Sequence, residues 1–417
     1  MTTTGPTPGP TPGSTTASKR ASRRSSRRLL VQAQLANSIG DGAYLVTSAL
    51  YFARIVGLSA TEIGLGLTLG WAVGTVAGVP LGHLADRRGP RGVAVLLALT
   101  TAVAVTSFLF VRSFALFILV ACLYGTAQTG LSAARQALLA GLIEPDKRTE
   151  VRAVLQSTIN GGLAVGAALG GFALHLDTRE AYLTVFAVDA VSFLVAALLL
   201  LRLPTVAPIT ATAGPKLAVL RDRPYAVVTL INAVMLFYMP LLSLIVPLWI
   251  VQRTTAPTWL VSALLLVNTV SVLLFQVRIA RRVRGLADAS RSVRHAGVVM
   301  LAACAVFAMS AIGSSAWLAA LILLAAAMLQ AYGEMLLGAG SWEIGFALAP
   351  TDKQGQYQGF FGTGTAVARM LGPVILTTLV IGGGTLGWLL VGGLFVAAGA
   401  AMGPAVRWAS RNRYGLT

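Results

Sequence analysis

The chain has 417 residues, 56% of them hydrophobic and only 11% charged, with a mean hydropathy of +0.77. Soluble domains carry about 25% charged residues, so this composition excludes a string of ordinary soluble domains and points to a bilayer. The formal net charge of +18 would suit nucleic acid, but it sorts by segment along the chain and therefore reports membrane topology.

Residues 1–28 begin with Thr, Pro, Gly and Ser and end in the basic pairs Lys19-Arg20, Arg23-Arg24 and Arg27-Arg28. Low hydrophobicity and high charge predict a disordered tail. The pairs are similar to a twin-arginine export signal, but the run that follows carries Asn37 and Asp41 and leads into more apolar runs, so they read as a cytoplasmic anchor. Runs long enough to cross a bilayer fall at 29–53, 63–82, 92–111, 114–143, 153–174, 182–201, 225–250, 258–277, 296–313, 316–340, 358–381 and 385–404. Of the 32 Lys and Arg residues, all but Arg54, Arg112, Arg135, Arg179, Arg253 and Arg369 lie in the two tails or in alternate junctions. This asymmetry places both ends in the cytoplasm and leaves no role for nucleic acid.

A Pro/Thr/Ala-rich stretch at 204–224, with Lys216, Arg221 and Arg223, reads as a cytoplasmic linker between the halves 29–203 and 225–404, with a tail at 405–417. A faint repeat relates the halves. Pro145-Asp146-Lys147 precedes the fifth span as Pro350-Thr351-Asp352-Lys353 precedes the eleventh, and Leu169-Gly170-Gly171 matches Leu371-Gly372-Pro373. The fold class expected is all-α integral membrane, twelve spans in two pseudo-symmetric six-helix bundles. Cys122 and Cys304 lie within spans, and His83, His175 and His295 are scattered, so neither a disulfide framework nor a metal site is expected. The sequence carries no Ser/His/Asp set and no P-loop. An enzyme, a cofactor and ATP-driven transport are therefore not expected, and any solute movement would draw on a gradient.

A charged side chain at mid-span costs about 2.5–3.5 kcal/mol on insertion scales, so the few present need partners or water. The first span carries Gln34, Asn37, Asp41, Tyr44 and Ser48 at helical spacing, and the fourth carries Gln128, Ser132 and Arg135. Gln330 and Glu334 lie in the tenth, Arg369 in the eleventh and Asp189 in the sixth. By helix rise Asp41 sits roughly 18 Å from the cytoplasmic end of its span, Arg135 roughly 12 Å and Glu334 roughly 9 Å, depths that overlap. Asp189 reads as hydrogen-bonding a neighbouring helix, and Arg369 either as a partner of Glu334 or as a packing residue.

Between the second and third spans the chain reads Gly82-His83-Leu84-Ala85-Asp86-Arg87-Arg88-Gly89-Pro90-Arg91. Gly82, Leu84, Ala85, Asp86, Arg87, Gly89 and Arg91 closely resemble the G-x-L-a-D-r-x-G-r-r signature of major facilitator superfamily transporters. A worn counterpart stands at Arg284-Gly285-Leu286-Ala287-Asp288. In the fifth span, Gly162, Gly166, Gly170 and Gly171 resemble the G-x-x-x-G-P-x-x-G-G element of drug:proton antiporters, with Ala167 in place of the proline. The arginine usual in the outer half of the fourth span is missing around 121–125, and Arg135 sits deeper. Glu334, Ala349-Pro350 and Gly355-Gln356-Tyr357 resemble the tenth-to-eleventh-span segment of multidrug members.

The resemblance implies alternating access and a cavity lined by the first, fourth, seventh and tenth spans. In that frame Asp41 is the expected proton-accepting carboxylate, Arg135 its charge partner and Glu334 a second acid or cation anchor. Gln34, Asn37, Tyr44, Gln128, Asn232, Tyr238 and Gln330 are expected to line the substrate cavity, with Phe237, Met235 and Met239 as adaptable apolar wall. The function implied is proton-coupled efflux of amphipathic or cationic small molecules by a monomer in the cell membrane. A transporter of one metabolite, or a non-transporting sensor of the same fold, are the other readings.

Overall fold

The computed structural model describes residues 12–207, 217–313 and 315–414. Among the described residues every regular element is helical. The first part of the chain forms α1 (Pro12–Tyr51), α2 (Ala60–Arg88), α3 (Pro90–Phe108), α4 (Phe114–Leu142), α5 (Pro145–Leu176) and α6 (Arg179–Leu201). The second forms α7 (Arg223–Met235), α8 (Val246–Arg253), α9 (Leu260–Ala280), α10 (Gly285–Met309), α11 (Ala316–Ala347), α12 (Gln354–Leu376) and α13 (Gly383–Tyr414). Ten stretches are long and apolar enough to cross a membrane. One, Arg223–Arg253, joins α7 to α8 through a 3-10 turn and a π turn, and another, Gln354–Asn412, holds both α12 and α13.

Local chemistry fixes where these helices begin. Ser59 and Glu62 form a reciprocal capping box at α2, the Glu62 N–H donating to Ser59 Oγ at 3.2 Å and the Ser59 N–H to Glu62 Oε2 at 2.8 Å. Pro90 and Pro145 open α3 and α5, where a missing N–H costs nothing. Gly89, at φ +92°, supplies the sharp turn between α2 and α3 that a residue with a Cβ would resist.

The tails differ from expectation. Backbone residues 12–28 are helical rather than disordered, because extending a helix already nucleated by a long span adds one bond per residue fixed. Residues 1–11 and 415–417 lie outside the described residues, and α13 carries the expected C-terminal tail as helix as far as Tyr414. Of the linker expected at 204–224, residues 208–216 lie outside the described residues and Ala218–Arg221 forms a 3-10 turn.

Two large clusters of buried apolar side chains hold the molecule together. One runs from Leu30 to Leu203 with Phe346 added, the other from Val219 to Ala409 with Val79 added. A small third cluster joins Ala153 of α5 to Val272, Ile279, Met335 and Ala339 of α9 and α11, stitching the first part to the second. Large apolar side chains such as Val76, Leu198, Leu266 and Trp317 stay exposed on outer faces, as expected where lipid is the solvent. α5 lies tight on α1 because its glycines carry no side chain: a Cβ at Gly166 would strike the Ile39 carbonyl, and one at Gly162 would stand 2.6 Å from Ser38 Cβ. Gly170 meets Ala43 in the same way, whereas Gly171 faces open space.

Candidate functional site

Helical spacing on α1 brings Gln34, Asn37 and Asp41 to one face, opposite Gln128 and Arg135 of α4. The two helices run in opposite directions, and seven residues of rise span about 10 Å. With Gln128 opposite Asp41, Arg135 therefore arrives opposite Gln34 and Asn37. Gln128 Nε2 donates to Asp41 Oδ1 at 3.2 Å and reaches the Tyr124 hydroxyl at 3.1 Å. Asn37 Nδ2 donates to Asp41 Oδ2 at 2.9 Å, while Arg135 Nη2 donates to Asn37 Oδ1 at 3.1 Å and Nη1 to Gln34 Oε1 at 3.5 Å. Arg135 is thus not paired directly with Asp41, as a simple charge-partner reading would have it. The Asn37 amide stands between them and passes polarisation from guanidinium to carboxylate.

The second wall is built by α7, α9, α11 and α12. Glu334 accepts from Asn268 Nδ2 at 3.0 Å and faces the Tyr238 hydroxyl, which the break between α7 and α8 turns toward it. Arg369 of α12 does not reach Glu334. Its guanidinium lies 6.0 Å from the centre of the Trp71 ring on α2, with Tyr124 and Tyr238 close by.

Other residues expected in the cavity are buried by their neighbours. Tyr44 is packed among Phe108, Tyr124 and Phe186, with ring centroids 5.3–6.2 Å apart. Asn232 is buried, its Oδ1 accepting from Ser341 Oγ at 2.6 Å, and Gln330 is buried with its Oε1 unpartnered. Single-sequence periodicity finds the polar face of a helix but does not say whether a neighbour covers it.

The 82–91 segment makes a buried polar contact between the two parts of the chain. Asp86 is buried, and its carboxylate accepts from the Gly355 N–H at 2.6 Å and the Gln356 N–H at 3.0 Å. These are unsatisfied donors of the first turn of α12, at the positive end of its dipole. Gly82 lets α2 press on Gly355, since a Cβ there would strike the Gly355 carbonyl. Arg91 Nη1 donates to the Leu203 carbonyl at 2.7 Å and so ties α3 to the end of α6. Arg87 is exposed.

Further links between the parts gather at this same end. Thr149 donates to Glu343, Arg281 Nη2 meets Glu150 Oε1 at 2.9 Å, and the Arg152 guanidinium lies 5.2 Å over Trp342. Toward the opposite end, beyond Arg369 and Trp71, no hydrogen bond or ion pair among the described residues joins the two parts; Arg54 and Asp177 pair there within the first part alone.

Three residues escaped sequence reasoning. Asn268 is a lone amide in an apolar run, a signal that could have marked it. Glu343 and Thr149 gave none, being ordinary helix-end polar residues. Asp189 was noticed, but its position was not: it is fully buried, its Oδ2 has no hydrogen-bond partner, and it presses against Gly40, one residue from Asp41. Among the described residues no group of three or more His, Cys, Asp or Glu could hold a metal ion.

A family model described as Major Facilitator Superfamily matches residues 30–373. No curated protein sequence matches the chain. Among solved structures, a bacterial homologue of the iron transporter ferroportin in an outward-facing state is similar with a TM-score of 0.74 at 16% identity, over 92% of this chain and 99% of that one. The human organic anion transporter MFSD10 gives 0.67 at 17% identity over 90% and 98% of the two chains. The E. coli fucose:proton symporter FucP gives 0.66 at 13% over 92% and 98%. At these identities the likeness is one of fold.

Proposed function

The chain belongs to the major facilitator superfamily, and from that premise we propose that it is a proton-coupled secondary transporter that exports amphipathic, including cationic, small molecules. In this reading twelve spans form two six-helix bundles, 29–203 and 225–404, in a cell membrane. Both termini and the 82–91 loop face the cytoplasm. The protein works as a monomer. The contacts gathered around Asp86 then close the cytoplasmic side, and the space between the bundles opens outward.

The observation that carries the reading is the polar run Gln128–Asp41–Asn37–Arg135, at mid-depth on the inner wall of the first bundle, its Asn37 buried and the other three half-buried. An ionised Asp41 needs the donors of both Asn37 and Gln128, because a carboxylate with unmet acceptors is costly away from bulk water. Protonation releases that need and frees Gln128, whereas a cationic group nearby favours the ionised form. Proton and substrate therefore compete for Asp41, which is the thermodynamic requirement for exchange of one against the other. Glu334, held by Asn268 and Tyr238 on the opposite wall, is the second acid or cation anchor, and Trp71 and Tyr238 supply apolar surface.

The test is flux of a fluorescent lipophilic cation driven by a pH gradient in proteoliposomes, wild type against Asp41→Asn. Gradient-dependent flux by wild type, lost in the variant, supports the proposal. Equal flux from both removes Asp41 from the coupling and moves it to Glu334. No flux from folded wild type rejects export of this substrate class.

A further inference from the structure

Arg369 is a permanent charge at mid-depth with no anionic partner. Helix rise puts it roughly 22 Å along α12 from the end latched by Asp86. An arginine there is costly unless it is paired or wet. Among the described residues neither a carboxylate nor a carbonyl accepts a hydrogen bond from its guanidinium. Glu334, the partner the sequence suggests for it, is engaged by Asn268.

What surrounds Arg369 is aromatic. Trp71 lies at 6.0 Å, the outer limit for a cation over a ring, with Tyr124 and Tyr238 beside it. These neighbours come from both parts of the chain, α2 and α4 on one side and the α7–α8 break on the other, yet the arginine remains exposed. Its charge therefore stands in the space between the two parts rather than in a packed interface. A guanidinium is weakly hydrated and presents a planar fork of donors that matches a carboxylate or sulfonate in two-point contact.

We propose that Arg369 is the anchor for an anionic group of the substrate, and that the cavity takes amphipathic aromatic carboxylates or sulfonates whose ring system lies against Trp71 and Tyr238. Zwitterions fit as well, with their cationic end toward Glu334. The proposal rests on the space between the two parts being the substrate path, but not on proton coupling.

Binding of two xanthene dyes to the full-length protein in detergent, followed by fluorescence polarisation at pH 7.5 without any gradient, tests it. Fluorescein is anionic and rhodamine 123 cationic on a similar ring system. Wild type is expected to bind fluorescein, Arg369→Gln to weaken it by about tenfold or more, and Arg369→Lys to keep part of the affinity, since a point charge remains but the fork is lost. Rhodamine 123 binding should stay equal or tighten in Arg369→Gln. Unchanged fluorescein affinity in a folded Arg369→Gln protein overturns the proposal, as does a wild type that binds only rhodamine 123 or neither dye. Coupling is read separately, in liposomes with Asp41→Asn, so a transporter that binds fluorescein but ignores the proton gradient would refute the coupling while leaving the anion site standing.

Discussion

The loop between α2 and α3 and the loop between α9 and α10 have the same backbone device and opposite consequences. Each turns on a glycine in the left-handed region, Gly89 at φ +92° and Gly285 at φ +79°, and each carries an aspartate nearby. Asp86 precedes its glycine and reaches across to the first turn of α12. Asp288 follows its glycine and is satisfied at home, by the Arg284 N–H at 3.2 Å and by Arg291. The repeat that matches 145–147 with 350–353 makes the start of α5 the counterpart of the start of α12. What meets α5 from α9 is the exposed Arg281–Glu150 ion pair, not a capping carboxylate. A buried charge-assisted cap is worth more than an exposed pair, about 1.5–3 kcal/mol per hydrogen bond against about 0–1. Of these two counterpart contacts, the one between α2 and α12 is therefore the stronger.

The largest effect should come from wedging the stronger contact open. Gly82→Val places a side chain where the Gly355 carbonyl already lies, and overpacking of this kind costs about 1–3 kcal/mol in addition to the lost hydrogen bonds. Spin-label distances between the closed-end termini of α2 and α12 should lengthen across most of the population, and thermal stability should fall. If the distances keep their wild-type values, the close approach is not what holds this end.

Removing charge alone is the sharper and milder comparison. Asp86→Asn halves the acceptor capacity facing two N–H donors and should shift the same distance distribution partway, by roughly tenfold in population for about 1.4 kcal/mol. Asp288→Asn should leave the distances unchanged, because its contacts stay within one part of the chain. Equal responses from the two variants would erase the asymmetry argued above.

The smallest effect concerns a second carboxylate held within one part of the chain, at the opposite end. Tyr182 and Arg54 hold the Asp177 carboxyl below the usual carboxylate range. Because its folded value is depressed, its contribution is present above the ordinary carboxylate value near 3.8 and is lost only as pH falls through the lowered one. Melting curves of wild type and Asp177→Asn should therefore differ by the same small amount from pH 5 to 8 and converge in strong acid. A difference that grows between pH 6 and 7 would contradict this assignment.

Much of the fold was legible because bilayer physics writes long signals. Apolar runs and the 82–91 motif are local in sequence, and each reports a helix or a helix end. The site was only half legible. Spacing put Gln34, Asn37 and Asp41 on one face, but Tyr44, Asn232 and Gln330 obey the same periodicity and are covered by Phe186, Ser341 and other neighbours. Residues 12–28 misled for the opposite reason, since composition suggested disorder where an adjoining helix simply continues.

By itself the sequence determined that this is an all-helical chain of membrane-length spans, with a charge pattern and a loop signature of one transporter superfamily, because hydrophobic length and turn chemistry are properties of contiguous residues. The tertiary structure decided which charges meet. It separated Arg135 from Asp41 by an amide, turned Asp189 inward against Gly40, left Arg369 without a carboxylate, and joined Asp86 to a helix start 269 residues away. Such contacts depend on the relative height and rotation of packed helices, to within a few ångströms, and no local pattern in the chain encodes them.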